Sequence, residues 1–435
     1  MTDARATSWA VVLPPDTTFH IRGGPRWLHE LLPVLNVAEN APRALVTWNS
    51  RPSDPSSLRQ YFAVVAFGFD RETIAYLVSQ GFAYTYRFAV IPGLTDARWF
   101  VPLGSRRAAA ATFALYSPLK KAAKLRKAGV QLASRLGLPG WYRDKVLIAL
   151  RQPSMLSDIM VDFLGDSAME VAISSGTPGP TRKPTLATLS PDGIIRGIVK
   201  AADTPVTRTL LRNESSLLQS VKAVVGSNIE IPSILHQVET GQRLITVQSA
   251  LNGHHPSREF TSNHRRFLDS LRTGSSGPAL YTELARSLPI RASRIQKPGL
   301  ELGQSINLIQ TLLEGYEIPH TVNHGDFTPW NLKENNGRLG AFDWESGWLD
   351  GLPLQDEIHY NLQVGFLLDG WGLDQAMSYL LFDPGITRFE TRQPAGRGLQ
   401  LVYLVNAVIQ RHEAMARPND PALQRYYALL RAFLS

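Results

Sequence analysis

A short polar segment bounded by two apolar runs most constrains what this chain can fold into. From His324 to Asn331 the sequence is His-Gly-Asp-Phe-Thr-Pro-Trp-Asn, and Asp343 follows twelve positions later in Phe-Asp-Trp-Glu. Apolar runs at 321–322 and 339–342 precede the two acids and predict short strands. A loop held between such strands places an acid, an amide and a second acid in one cleft.

These three side chains are the types that phosphoryl transfer requires: one carboxylate to accept a hydroxyl proton, and oxygen ligands for Mg²⁺. Asp326 precedes Asn331 by five residues, the interval found in the protein-kinase catalytic loop. Taken singly, Asp and Asn also suit ordinary turns, because their side chains bond their own backbone. The joint spacing predicts Asp326 as the base and Asn331 and Asp343 as Mg²⁺ ligands.

The pattern His-Gly-Asp-x-x-x-x-Asn, followed by hydrophobic-Asp-Trp-Glu, resembles the aminoglycoside phosphotransferase and choline kinase group. The resemblance implies a two-lobed protein-kinase-like fold, ATP and Mg²⁺ as cofactors, and a small hydroxyl-bearing acceptor. It also implies that Asp356 braces the catalytic loop and that His324 belongs to the same structural set.

A kinase of this type also needs a lysine on a strand and a glutamate on the next helix. The run Gly-Ile-Val-Lys-Ala predicts a strand ending at Lys200. Apolar residues at helical spacing predict a helix over 207–225, with Glu214 fourteen residues after the lysine. We expect Lys200 to bind phosphate and Glu214 to hold it; the alternatives are a strand-end surface lysine and an ordinary helix-face acid.

Nucleotide contacts are expected from two further segments. The loop 174–183 lies where a phosphate-covering turn belongs, and its candidate residues are Ser175, Gly176 and Thr177. Two prolines there remove N–H donors, so a plain hairpin loop is the alternative. A strand from Arg243 runs into a connector where kinases of this group bind adenine through backbone groups. The expected adenine contacts are Gln248, Ser249, Ala250 and Leu251.

These predictions divide the 435 residues into an α+β plan with three parts. An extra small α/β domain occupies 1–160, a small β-rich N-lobe 161–251, and a helical C-lobe 252–435 with the catalytic loop at 323–345. Strands are expected at 44–48, 62–67, 86–91 and 99–101, with a helix at 71–80. C-lobe helices are expected near 257–272, 300–315, 356–368, 371–381, 398–416 and 421–434.

Positive charge is concentrated in residues 105–151, which hold eleven Lys or Arg against the single acid Asp144. A basic amphipathic helix is predicted near 118–136, with Leu125, Leu132 and Leu136 on its apolar face. It fits an anionic membrane surface or an anionic partner. The alternative is a solvated outer face whose apolar side covers the core. Nucleic acid is disfavoured, since no aromatic residues alternate with the basic ones.

Composition excludes several classes of protein. With no cysteine, the chain has no disulfide, thiolate nucleophile or Cys-ligated zinc, which fits a reducing compartment. The apolar stretch before Pro14 is too short for a signal peptide, and no apolar run is long enough to span a membrane. We expect a cytoplasmic protein, peripheral to a membrane if the basic helix binds one. The oligomeric state is not determined.

Two functions fit this sequence. The first is an ATP- and Mg²⁺-dependent phosphotransferase that moves the γ-phosphate to a hydroxyl of a sugar, an amino alcohol, an aminoglycoside-like compound or a lipid-linked saccharide. The second is a weak or inactive kinase-like scaffold that binds partners through its N-terminal domain. The proline-bearing 174–183 loop favours the scaffold, whereas Asp326, Asn331 and Asp343 together favour the enzyme.

Overall fold

The computed structural model forms two compact units. One comprises 1–208 with 234–250, and the other 209–233 with 251–435. The structure describes residues 4–32, 41–49, 55–115, 118, 121–138, 140–165, 169–176, 181–226, 229–383, 395–414 and 419–435. The first unit is rich in strands and the second in helices, which confirms the predicted α+β class.

The first unit is built on one sheet of eleven strands in the order β1-β2-β3-β6-β4-β5-β7-β8-β9-β11-β10. β1, β2 and β3 are parallel, and the remaining neighbours are antiparallel. The strands are β1 Thr18–Arg22, β2 Arg43–Trp48, β3 Ala63–Phe67, β4 Tyr84–Ile91, β5 Trp99–Pro102, β6 Asp144–Leu150, β7 Glu170–Ser174, β8 Thr185–Leu189, β9 Ile195–Ala202, β10 Ile234–Thr240 and β11 Arg243–Ser249.

The predicted accessory domain and the predicted N-lobe share this sheet. β5 pairs with β7, with Trp99 opposite Ser174 and Phe100 opposite Ile173. Their inward side chains also join one apolar cluster, in which Phe100 and Val146 lie with Ile173 and Val199. Strands from both regions thus share one sheet and one core. The predicted domain boundary near residue 160 stays a prediction.

The helices Arg71–Ser79 and Met155–Leu164 of the first unit begin where short polar side chains cap the free N–H groups of the first turn. Asp70 accepts the N–H of Thr73 at 2.7 Å, and Ser154 accepts that of Ser157 at 3.2 Å. The helices are Arg26–Leu31, Pro55–Leu58, Arg71–Ser79, Arg106–Thr112, Lys121–Leu136 and Met155–Leu164.

The second unit packs helices around a large aliphatic core that includes Leu302, Ile309, Leu399 and Leu430. The helices are Ser262–Asp269, Glu283–Ala292, Leu300–Leu313, Gln355–Val364, Leu373–Phe382, Ala395–Glu413 and Pro421–Leu434, together with most of Pro205–Val225, which begins in the first unit. Its strands are β12 Arg272–Pro278, β13 Glu317–Asn323, β14 Leu332–Asn335, β15 Arg338–Ala341 and β16 Trp348–Gly351. The six helices predicted for this region are confirmed; Glu283–Ala292 was missed, because Pro289 interrupts its pattern.

Two of the alternatives are wrong. The lysine strand continues to Ala202, so Lys200 pairs on both sides and is only 6% exposed rather than a strand-end surface residue. The basic helix does not cover the core with its leucines, since Leu125, Leu132 and Leu136 are all exposed. Among the described residues, no helix is long and apolar enough to cross a membrane.

Candidate active site

A tight hairpin in the second unit fixes the distance between the two predicted metal ligands. Asn336 and Gly337 have φ of +50° and +74°, the left-handed pair that a two-residue hairpin turn requires. The turn sets the register of β14 on β15, with Leu332 opposite Ala341. Just beyond that pair, the N–H of Phe342 donates to the carbonyl of Asn331 at 3.0 Å. Asn331 and Asp343 therefore lie at the same open end of the hairpin.

A buried carboxylate holds the loop that carries Asp326 through two hydrogen bonds. The two oxygens of Asp356 accept the backbone N–H groups of His324 and Gly325, each at 2.8 Å. Asp356 is in the first turn of the Gln355–Val364 helix and is almost completely buried. The carboxylate satisfies two N–H groups that the turn leaves without a backbone partner.

His324 joins the same loop to the segment before Asp343. Its Nε2 donates to the carbonyl of Phe342 at 2.9 Å, while its Nδ1 accepts the N–H of Asp326 at 3.2 Å. This pattern requires the neutral ring with its proton on Nε2. The ring also packs on Trp344, with 4.6 Å between centroids. One buried imidazole thus positions both acids of the motif.

The backbone of the motif adopts conformations that restrict its sequence. Gly325 has φ of +81°, and a Cβ there would lie 2.0 Å from the carbonyl oxygen of Ser346, so only glycine fits. Asp343 has φ of +70°, which is unfavourable for a residue with a side chain. Such a conformation is kept only where surrounding contacts enforce it, and it is common at functional sites.

The carboxylate of Asp326 lies between two donors. Oδ2 accepts the amide of Asn331 at 2.8 Å, and Oδ1 accepts Nε2 of His359 at 2.8 Å. The same Asn331 amide donates to the backbone carbonyl of Asp326 at 3.0 Å. Because the NH₂ of Asn331 is directed at Asp326, its Oδ1 points the other way. The side chain of Asp326 is 42% exposed to solvent.

His359, which the sequence analysis did not predict, connects Asp326 to a chain of hydrogen bonds. Its Nδ1 lies 3.3 Å from the hydroxyl of Tyr403, which lies 3.2 Å from that of Tyr426, and Gln363 donates to Tyr426 at 2.9 Å. Burial raises the pKa of both Tyr403 and Tyr426, so both phenols stay neutral. In one consistent assignment every donor points toward Asp326, and each bond then polarises the next.

The interval between Asp356 and His359 on their helix could have predicted His359 as a site residue. It follows Asp356 by three residues on Gln355–Val364, and residues three apart share a helix face. Once Asp356 is expected to face the catalytic loop, a histidine at that spacing is expected to face it too.

The remaining predicted site residues are divided between the two units. Lys200 belongs to the first unit and the fully buried Glu214 to the second, so their pairing stays a prediction. Ser175 is buried and donates its N–H to the carbonyl of Arg98 at 3.0 Å; Gly176 has φ of +73°. Thr177 lies outside the described residues.

The predicted adenine contacts lie at the end of β11. Gln248 is buried opposite Ile198, and Ser249 is half-buried opposite Gly197. Ala250 ends the first unit and Leu251 begins the second part of the other, both half-buried. Their contact with a nucleotide stays a prediction.

No family model and no curated protein matches the sequence. Among solved structures, the chain is similar to a thermostable mutant of aminoglycoside phosphotransferase APH(4)-Ia in a ternary complex with ADP and hygromycin B, at 13% identity and a TM-score of 0.43, over 64% of this chain and 99% of that one. It is also similar to a choline/ethanolamine kinase family protein from Mesorhizobium loti, at 14% identity and a TM-score of 0.39, over 64% and 94%.

A third similar structure is a protein designated a fructosamine-3-kinase from Haemophilus somnus 129PT, at 13% identity and a TM-score of 0.41, over 64% of this chain and 97% of that one.

Proposed function

We propose that this protein is an ATP- and Mg²⁺-dependent phosphotransferase whose acceptor is a hydroxyl group of a small molecule. The observation that carries the proposal is the arrangement around Asp326. An exposed carboxylate is oriented by two donors, and Asn331 Oδ1 and the strained Asp343 lie at the open end of one hairpin. A loop that served only as a turn would need neither the buried Asp356 brace nor the His324 link.

The available donors fit Mg²⁺ bound with a nucleotide. Asn331 Oδ1 and the Asp343 carboxylate are hard oxygen ligands, the kind that Mg²⁺ prefers, and phosphates and waters complete its shell. Among the described residues there is no cluster of three or more His, Cys, Asp or Glu that could hold a metal by itself. A phosphate-bound Mg²⁺ does not require one, since one or two protein ligands suffice.

When bound, MgATP supplies the phosphoryl group and a metal that offsets phosphate charge. Asp326 accepts the proton of the substrate hydroxyl while the hydroxyl oxygen bonds to the γ-phosphorus. The bond from that phosphorus to the β–γ bridging oxygen breaks, and ADP leaves. His359 and Asn331 hold the Asp326 carboxylate toward the hydroxyl. Lys200 would bind the phosphates, and Glu214 would hold Lys200.

The acceptor belongs to one of four classes: a sugar, an amino alcohol, an aminoglycoside-like compound or a lipid-linked saccharide. The nucleotide would contact Ser175, Gly176 and Thr177 through its phosphates and the Gln248–Leu251 segment through its base. Ser175 is buried, and its N–H already donates to the carbonyl of Arg98, so this N–H is not available to a phosphate. This favours a modest affinity for the nucleotide. That same observation favours the alternative of a weak or inactive kinase-like scaffold.

Titration calorimetry with ATP, with and without Mg²⁺, separates the enzyme from the scaffold. We expect Mg²⁺-dependent binding to the wild type and a loss of about tenfold or more in Asp343→Ala, because a metal ligand is removed. Asp326→Asn should bind nucleotide normally while turnover with acceptors from the four classes falls by roughly 10²–10⁴-fold.

The control is Asp369→Asn, which changes a carboxylate that only pairs with the exposed Arg258. It should alter neither binding nor turnover. Wild-type protein that binds no ATP in Mg²⁺ would contradict the proposal and favour the scaffold.

A further inference from the structure

The helix Lys121–Leu136 in the first unit carries an apolar stripe that faces away from the protein. Leu125, Leu132 and Leu136 are 77%, 57% and 55% exposed. Their spacings of seven and four residues place them on one side of a helix. Leu138, just past the helix end, is exposed as well. Exposed leucines in such a row are unusual on a protein surface that contacts only water.

The opposite side of the same helix holds it to the protein. Ser134, nine residues from Leu125 and therefore on the other side, is 1% exposed. Val130 packs against the cluster that contains Ala109 and Phe113. The leucine stripe is thus not a core face that the fold left half covered, since the helix already has a packed side.

Basic side chains flank the stripe on both sides. Lys124 and Arg126 stand immediately before and after Leu125, and Arg135 stands before Leu136; all three are exposed. Neighbouring helix positions lie about 100° apart, so these cations lie along both edges of the stripe. Arg107 and Arg135 also line an open groove of about 670 Å³ beside Leu132, together with Asp192.

We infer that this leucine stripe docks on the surface of an anionic lipid bilayer. The cross-section of the helix, apolar at its outer edge and cationic on both flanks, matches a bilayer whose acyl chains lie below anionic phosphates. A second copy of the chain is a poor occupant, because docking would bring two strongly cationic 105–151 segments together. Nucleic acid would leave the leucines without a partner.

Vesicle sedimentation of the full chain tests the inference without nucleotide or acceptor, so it does not depend on the phosphotransferase proposal. The probes are vesicles of phosphatidylcholine alone and of phosphatidylcholine with phosphatidylserine. We expect the wild type to bind the anionic vesicles, to bind them less as salt rises, and to bind neutral vesicles at least about tenfold more weakly.

Two surface variants separate the apolar and charged contributions. The first is Leu125→Ser, Leu132→Ser and Leu136→Ser together; the second is Lys124→Gln, Arg126→Gln and Arg135→Gln. Each should reduce binding to anionic vesicles by about tenfold or more, because insertion and charge attraction act together. Circular dichroism checks that the helix is kept.

Matched controls come from exposed residues of the second unit. Ile290→Ser with Leu300→Ser removes exposed apolar side chains, and Arg286→Gln, Arg294→Gln and Lys297→Gln remove exposed cations. Both should bind vesicles like the wild type. The inference is overturned if the wild type does not bind anionic vesicles, or if the stripe variants bind as well as the controls. It is equally overturned if the leucine variant only converts a dimer to a monomer in light scattering, or only abolishes RNA binding.

Discussion

At the scale of single residues, the orientation of one exposed carboxylate depends on a histidine and an amide. Asp326 receives one hydrogen bond on each oxygen, from His359 and from Asn331, so its free lone pairs keep a defined direction. A base that rotates freely spends less time in line with a substrate proton. Small errors in such positioning are costly, because catalysis depends on near-attack geometry.

Replacing His359 tests this positioning role. His359→Phe should lower kcat by about tenfold or more with little change in KM for ATP, because the proposed base, Asp326, loses a donor while the proposed nucleotide contacts remain. His359→Gln, which can still donate to Asp326, should recover most of the loss. Steady-state kinetics with an acceptor from the panel measures both. His412→Phe, a histidine bonded to Tyr427 instead, is the matched control. Equal losses in the Phe and Gln variants would argue against the role.

Replacing Asp356 tests how much its two hydrogen bonds to the loop stabilise the protein. Asp356→Asn places an amide NH₂ against one of two buried N–H donors, so the free energy of unfolding should fall by about 2 kcal/mol. Urea denaturation followed by circular dichroism measures the change. The exposed Asp369→Asn should change it by no more than about 0.5 kcal/mol. A stable Asp356→Asn would mean that the loop does not need this carboxylate.

At the scale of elements, the N-terminus of the Ser262–Asp269 helix depends on a neutral histidine. Nδ1 of His264 accepts the N–H of Thr261 at 3.1 Å, and Nε2 lies 3.2 Å from the hydroxyl of Tyr360. Burial lowers the pKa of His264 from 6.5 to about 4. A proton on Nδ1 would break the capping contact, so the helix and the burial of this ring require the uncharged form.

This pKa shift predicts a window of acid sensitivity. As pH falls from 6.5 to about 4, the unfolded chain binds a proton on His264 and the folded chain does not. The contribution of the neutral His264 ring to the free energy of unfolding is therefore complete above pH 6.5, and it falls across this window by on the order of 3 kcal/mol. His264→Gln can keep the cap without titrating, so it should flatten this part of the profile. Urea denaturation across the pH range measures it; an unchanged slope in the variant would contradict the assignment.

At the scale of the whole molecule, the eleven-stranded sheet ties early and late segments of the first unit into one folding unit. Arg243 on β11 donates to the carbonyls of Val11 and Leu13 at 3.2 and 2.7 Å and pairs with Asp203. Removal of the first part of the chain would uncover the edge of β7 and the apolar side chains that Phe100 covers. Exposed edges and apolar surface of this kind promote aggregation.

A shortened chain of residues 161–435 tests whether the sheet divides at the predicted boundary. We expect it to aggregate or to lose much of its strand signal, because β7 loses its partner and the shared core opens. Size-exclusion chromatography and circular dichroism compare it with the full chain, and co-expression with residues 1–160 is the control that should restore solubility. A monodisperse, cooperatively unfolding 161–435 would show that this part folds without residues 1–160 and would support the predicted boundary.

The local arrangement of the motif is what the sequence by itself determined. Asp326, Asn331 and Asp343 were expected to lie close together because the turn residues and short strands that set their spacing are adjacent in the chain, while their chemical roles stay predictions. Element type was also predictable for the C-lobe helices, where apolar periodicity is long. Glu283–Ala292 was not, because Pro289 hides its pattern.

Only the tertiary structure decided which distant groups reach the site and which faces remain uncovered. The bonds from His359 to Tyr403 and onward to Tyr426 join two further helices that no local pattern relates to the loop. Leu125 points outward because the opposite side of its helix packs on the protein. An amphipathic pattern predicts an apolar helix face, but it does not tell whether that face packs on the core or binds a partner. The joining of β5 to β7 is likewise a long-range pairing, set by the packing of a shared core rather than by either strand.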